Sequence, residues 1–151
     1  MRILVIEDVD SKHADVIDVL ATSAVGAEIT RASNLNAAED QIMAEKWDLV
    51  VLDLSMDIAA EASTDHSSGH ATLGGLDVLE RMALLKIALP TILVTGFDSF
   101  QDPDRFDNSI MNLADVDALA ERWLGASYLG CVRYGSEQWV QTMVEILERR
   151  L

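Results

Sequence analysis

Leu49–Leu54, LVVLDL, is an apolar run broken only by Asp53 near its C-terminal end. Leucine and β-branched residues without polar alternation predict a strand buried on both faces, as in a parallel sheet covered by helices. An ionised carboxylate costs several kcal/mol to bury unpaired. Asp53 therefore belongs at the open carboxyl edge of a sheet or beside a cation, and that edge is where open α/β sheets place their ligands.

Working outward, the flanking sequence alternates short apolar runs with helical periodicity. Ile3–Ile6 predicts a first strand, followed at once by Glu7, Asp8 and Asp10. Asp10 or Ser11 is placed to cap a helix whose inward stripe is read as Ala14, Ile17, Ala21 and Ala24. Ala27–Ala32 alternates like a half-exposed edge strand, and Ser33 or Asn34 opens a second helix through Leu35, Ala38 and Ile42. Gly74 and Gly75 lead into a helix carrying Leu76, Leu79, Met82 and Ala83, and Pro90 precedes the strand Thr91–Thr95. A helix over Leu113–Leu124 ends at Gly125, Tyr128–Tyr134 forms the last strand, and Ser136 caps a final helix with Val140, Val144 and Leu147 inward. Two stretches, 57–75 and 96–111, are rich in turn formers and read as long loops of the kind compact domains keep for function. The second is expected to expose Phe97, Phe100 and Phe106 as an output surface.

Five strands, each followed by a helix, predict one domain over 1–151: a flavodoxin-like, doubly wound parallel sheet of strand order 2-1-3-4-5. Half of the 151 residues are apolar, enough for a sizeable core. The net charge of −15, from 26 acidic against 11 basic residues, argues against direct nucleic-acid binding. No apolar stretch approaches the roughly 20 residues of a membrane span, the start MRILVIEDVD carries charges where a signal peptide needs an apolar core, and Cys131 has no second cysteine to pair with. A cytoplasmic protein is expected.

The predicted strand order puts the first and third strands side by side. Glu7, Asp8, Asp53 and Thr95 then meet at one carboxyl edge. Three carboxylates there repel one another unless a cation joins them, and hard oxygen ligands suit Mg²⁺. Singly, each residue has a plainer reading: Asp8 or Asp10 as a cap, Asp53 as a turn residue, Thr95 as an ordinary strand residue.

Together they resemble the receiver domain of two-component response regulators, across essentially the whole chain. That family's pattern is an acidic pair after strand one, a phospho-accepting aspartate ending strand three, a Ser or Thr ending strand four and a lysine ending strand five. Glu7 and Asp8 in ILVIEDVD, Asp53 in VVLDLSM and Thr95 in ILVTGF match the first four. The resemblance implies a backbone carbonyl ligand to the metal from Ser55. It also implies phosphoryl transfer to Asp53 from a sensor histidine kinase or phosphotransfer protein, with at most Mg²⁺-dependent self-phosphorylation and self-dephosphorylation as enzymatic activity. With no output domain following, the expected readout is protein contact, with a homodimer or a separate effector.

The fifth position departs from the pattern, because the last lysine is Lys86. Counting from Gly125 puts Val132 near that slot, with Arg133 one residue beyond as a candidate phosphate partner, although its planar fork differs from a compact ammonium. Lys12 follows the acidic cluster in the first helix, where it could shield those carboxylates, but a solvated lysine is the preferred reading. The missing lysine leaves a competing reading, a pseudo-receiver that binds partners without phosphorylation. His66 and His70, with Asp65 nearby, have a metal-like spacing only if their loop is helical, which its Ser and Gly content opposes. Trp123, Trp139 and Tyr134 are read as packing residues, with Tyr128 or Tyr134 as an aromatic reporter of phosphorylation.

Overall fold

In a computed structural model, which describes residues 1–56, 74–101 and 110–150, the chain runs β1 (Arg2–Ile6), α1 (Asp10–Ser23), β2 (Glu28–Ala32), α2 (Leu35–Ala44), β3 (Leu49–Asp53), α3 (Gly74–Leu84), β4 (Thr91–Thr95), β5 (Ser99–Gln101), β6 (Ile110–Asn112), α4 (Leu113–Leu124), β7 (Tyr128–Arg133) and α5 (Trp139–Arg150). Five strands form a parallel sheet in the order β2-β1-β3-β4-β7, the predicted order with β7 as its fifth member. Successive residues of a strand point to opposite faces. Leu4, Ile6, Val50, Leu52 and Leu93 accordingly pack with Ala38, Ile42, Leu76, Leu79 and Val116 of α2, α3 and α4. Ile3, Val5, Val51, Val94 and Val132 pack on the other face with Val16 and Leu20 of α1 and Met143 and Leu147 of α5. Helices on both faces are the reason that LVVLDL shows no polar alternation.

Several local readings are corrected. The inward stripe of α1 is Lys12, Val16, Val19 and Leu20; of the expected series Ala14 and Ala21 are exposed, while Ile17 packs half-buried on the core and Ala24 is buried, and the helix starts at Asp10 behind Val9, whose side chain makes no capping bond. Asn34 caps α2, accepting from Ala37 N. The final helix begins at Trp139, after a turn in which Ser136 Oγ donates to the Arg133 carbonyl, and its buried residues are Met143, Ile146 and Leu147 while Val140 is exposed. The described residues after Thr95 include a short antiparallel pair, β5 with β6. That pair turns Phe100 inward, fully buried beside Val116 and Ala120, and leaves Phe97 exposed. Phe106, Asp65, His66 and His70 lie outside the described residues.

Two contacts set up the carboxyl edge. At the start of α3, Gly75 N donates to the Leu54 carbonyl and Gly74 N to that of Met56. A Cβ on Gly75 would lie 2.5 Å from the Asp53 carbonyl oxygen, so only glycine lets α3 sit against the turn that follows Asp53. Along β4 and β7 the register shifts after Thr91, which brings Val132 opposite Val94 and Arg133 opposite Thr95.

Candidate functional site: a carboxylate cluster with a buried lysine

β1 and β3 are neighbours, so the residues leaving their C-terminal ends converge. Carboxylate oxygens of Glu7, Asp8 and Asp53 all lie within 4.8 Å of one another. Glu7 and Asp53 are almost fully buried and Asp8 is exposed, so the cluster opens to solvent on one side. Asp53 Oδ1 accepts from Ser55 N at 3.1 Å and Ser55 Oγ at 3.0 Å. Glu7 Oε1 accepts from Val9 N at 3.1 Å, and the Glu7 carbonyl accepts from Arg31 Nε. Arg31 also pairs with Asp10 across the mouth of β1.

The side chain that joins the two buried carboxylates is Lys12. Its Nζ lies 2.9 Å from Asp53 Oδ1, 3.1 Å from Glu7 Oε2 and 3.2 Å from the Val94 carbonyl, and it sits 5.7 Å from the centre of the Tyr134 ring. At 6 % exposure Lys12 is not solvated; it shields the carboxylates, the second role its position after the acidic cluster suggests. A signal was available: Lys12 precedes Val16 by four and Val19 by seven, on the apolar stripe of α1. Burial and the nearby Asp53 charge push the Glu7 carboxyl up to about 7, with Lys12 pulling the other way.

Thr95 is buried at the end of β4, its Oγ1 accepting from Phe97 N at 3.3 Å. Arg133 is placed elsewhere. Its Nε is 2.7 Å from Asp98 Oδ1, Nη2 reaches Asp98 Oδ2 at 3.3 Å, and Nη1 donates to the Tyr134 carbonyl. This fork holds the Asp98 carboxyl below the usual carboxylate range and ties β7 to the approach to β5. Val132 is fully buried among apolar residues. Tyr134 stacks at a tilt on Trp139 and hydrogen-bonds Asp15 of α1, while Trp123 packs against the opposite core face, both as expected of packing residues. Tyr128 donates to Asp117, away from the cluster.

No family model matches the sequence and no curated protein matches it. Solved structures do. A response regulator protein from Thermotoga maritima, in complex with Mg²⁺-BeF, is 20% identical with a TM-score of 0.59, covering 99% of this chain and 98% of that one. A response regulator receiver domain protein from Clostridium thermocellum is 17% identical at 0.61, covering 99% and 92%. The signal receiver domain of a DNA-binding response regulator from Colwellia psychrerythraea is 22% identical at 0.58, covering 98% of each. The chain has the fold of response-regulator receiver domains. Among its described residues, no helix is long and apolar enough to cross a membrane.

Proposed function

We propose that the chain is a cytoplasmic receiver that accepts a phosphoryl group on Asp53 from the phosphohistidine of a sensor kinase or phosphotransfer protein. The observation that carries this reading is the convergence of Glu7, Asp8 and Asp53 at the carboxyl edge of a receiver fold. The donor set fits a divalent cation: three hard carboxylates, two of them buried, with more negative charge than Lys12 alone offsets. Glu7, Asp8, Asp53 and the Ser55 carbonyl would hold Mg²⁺, which when bound supplies positive charge against the phosphoryl oxygens.

The remaining work falls to the chain. β3 fixes Asp53 at the sheet edge, and the Ser55 bonds orient its carboxylate for in-line attack on phosphorus. The Thr95 hydroxyl would hydrogen-bond the new phosphoryl group. Because its oxygen also accepts from Phe97 N, that shift would pull on the segment leading into β5, where Phe97 stands exposed. In this reading the output is the segment 96–111, read by an effector or by a second copy of the chain.

The pseudo-receiver reading is favoured by one observation, the Lys12 ion pair that already satisfies Asp53. Intact-mass analysis after incubation with Mg²⁺ and acetyl phosphate separates the two. Gain of one phosphoryl group, absent in Asp53→Asn, supports the receiver; an unchanged wild-type mass supports the pseudo-receiver.

A further inference from the structure

A phosphoryl group on Asp53 carries more negative charge than the carboxylate it modifies, so it calls for a cation from the protein. The end of β7 offers none, since Val132 is apolar and buried and Arg133 is engaged by Asp98. In register, Asp53 lies opposite Val94, and Val94 opposite Val132, forming one row across β3, β4 and β7. The Lys12 ammonium bonds the first two members of that row, Asp53 through Oδ1 and Val94 through its carbonyl. It reaches the row from α1, where a β7 side chain would have reached it from the far end.

We propose that Lys12 is the cation that pairs with the phosphoryl group on Asp53, delivered by the first helix in place of the last strand. This rests on Asp53 being the phosphoacceptor. In the unmodified protein, two carboxylates and a carbonyl surround the ammonium, which matches its three N–H donors. On transfer from acetyl phosphate, an Asp53 oxygen forms a bond to phosphorus while the bond from phosphorus to the acetate oxygen breaks, and acetate leaves with the electron pair. The esterified carboxyl loses its charge to the phosphoryl oxygens. Lys12 then moves one N–H from Oδ1 to a phosphoryl oxygen, keeping Glu7 and Val94 as anchors. Its stem belongs to α1, and its ammonium faces Tyr134, which hydrogen-bonds Asp15 on the same helix. The charge change is therefore transmitted to α1 and Tyr134.

Lys12 and Mg²⁺ also compete for the same carboxylates. Removing Lys12 should then tighten Mg²⁺ binding while slowing phosphorylation, opposite effects that loss of packing would not produce. The test compares the wild-type chain, Lys12→Met and the double variant Lys12→Met/Val132→Lys, which returns an ammonium to the row from β7. With Mg²⁺ and acetyl phosphate followed by intact mass, Lys12→Met should phosphorylate about a hundredfold more slowly. It should bind Mg²⁺ more tightly by calorimetry, and the double variant should regain part of the rate. A folded Lys12→Met with wild-type rate and wild-type Mg²⁺ affinity overturns the proposal.

A measurement on the wild-type chain covers the case in which Lys12→Met does not fold. The sequence has three lysines, Lys12, Lys46 and Lys86. In the ¹⁵N-lysine spectrum, Mg²⁺ with beryllofluoride should shift the Lys12 ammonium relative to Mg²⁺ alone and leave the other two in place; a static Lys12 signal overturns the proposal. A wild-type chain that takes up neither phosphoryl nor beryllofluoride removes Asp53 as acceptor and the Lys12 role with it, whereas a phosphorylated wild type with an unaffected Lys12→Met removes the Lys12 role alone.

Discussion

Burying Asp53 at 3 % exposure is tolerable because a cation and two Ser55 donors meet its carboxylate. The same groups make the cluster sensitive to added metal. Mg²⁺ should raise the melting temperature, because the unfolded chain has no assembled site, and free metal at a hundredfold excess over its dissociation constant adds about 2.7 kcal/mol of stability. Thermal melts of wild type and of Asp8→Asn/Asp53→Asn check this, and an equal shift in both would remove the site. A second expectation concerns Cys131, whose thiol burial pushes up to about 12, aided by the Asp117 charge. A thiol that far above the ordinary range holds little thiolate near neutrality, so iodoacetamide at pH 8 should alkylate the native chain on the order of a thousandfold more slowly than the denatured one. At this scale the sequence made the anions legible and left the cation between two readings, shielding the carboxylates or solvated. Glu7, Asp8, Asp53 and Thr95 stand at strand ends that their apolar runs announce. The shielding role of Lys12 ranked second because the alanines of α1 also recur at helical spacing, which turns the lysine away from the inward stripe.

Elements bring these residues together through close backbone approach. The Gly74–Gly75 start of α3 lies directly on the turn after Asp53, and Gly75→Ala would put a methyl against the Asp53 carbonyl oxygen. Overpacking of that kind costs about 1–3 kcal/mol. Chemical denaturation should show the loss, and the phosphorylation rate should fall with it, since α3 can retreat only by disturbing residues 53–56. The β5–β6 pair makes a different demand. Phe100, fully buried against α4, should cost about 3–5 kcal/mol when replaced by alanine, whereas exposed Phe97→Ala should leave the denaturation midpoint nearly unchanged. The parallel strands were readable because burial on both faces leaves an uninterrupted apolar signature. The β5–β6 pair was not, because each member has three residues amid turn formers, too few for any period to register.

For the molecule as a whole, pH sensitivity centres on Glu7, whose carboxyl is raised first by burial and then by the Asp53 charge. Its carboxyl titrates near 7 in the folded state against an ordinary value of 4.5, so between those values the native chain binds more protons than the unfolded one. Metal-free stability should therefore fall as pH rises through that window, by at most about 1.4 kcal/mol per pH unit from this group, and level off above it. Urea titrations in chelator should show the decline in wild type and its loss in Glu7→Gln; parallel curves for the two would refute it. The parallel order of the sheet followed from strand and helix alternation, since right-handed crossovers leave few alternatives. The side from which a cation enters did not follow, because it depends on helix rotation, not on strand order. That entry point has a consequence for how such chains change over generations. The side chains gathered at Asp53, from Glu7, Asp8, Lys12, Ser55 and the backbone of Val94, all come from the part of the sequence before Gly96. A genetic crossover just beyond Thr95 would exchange the β5–β6 pair, β7, Tyr134 and the last two helices for another lineage's version while inheriting every group that bonds Asp53 or Lys12, provided the newcomer still fills the core at Val132, Met143 and Leu147.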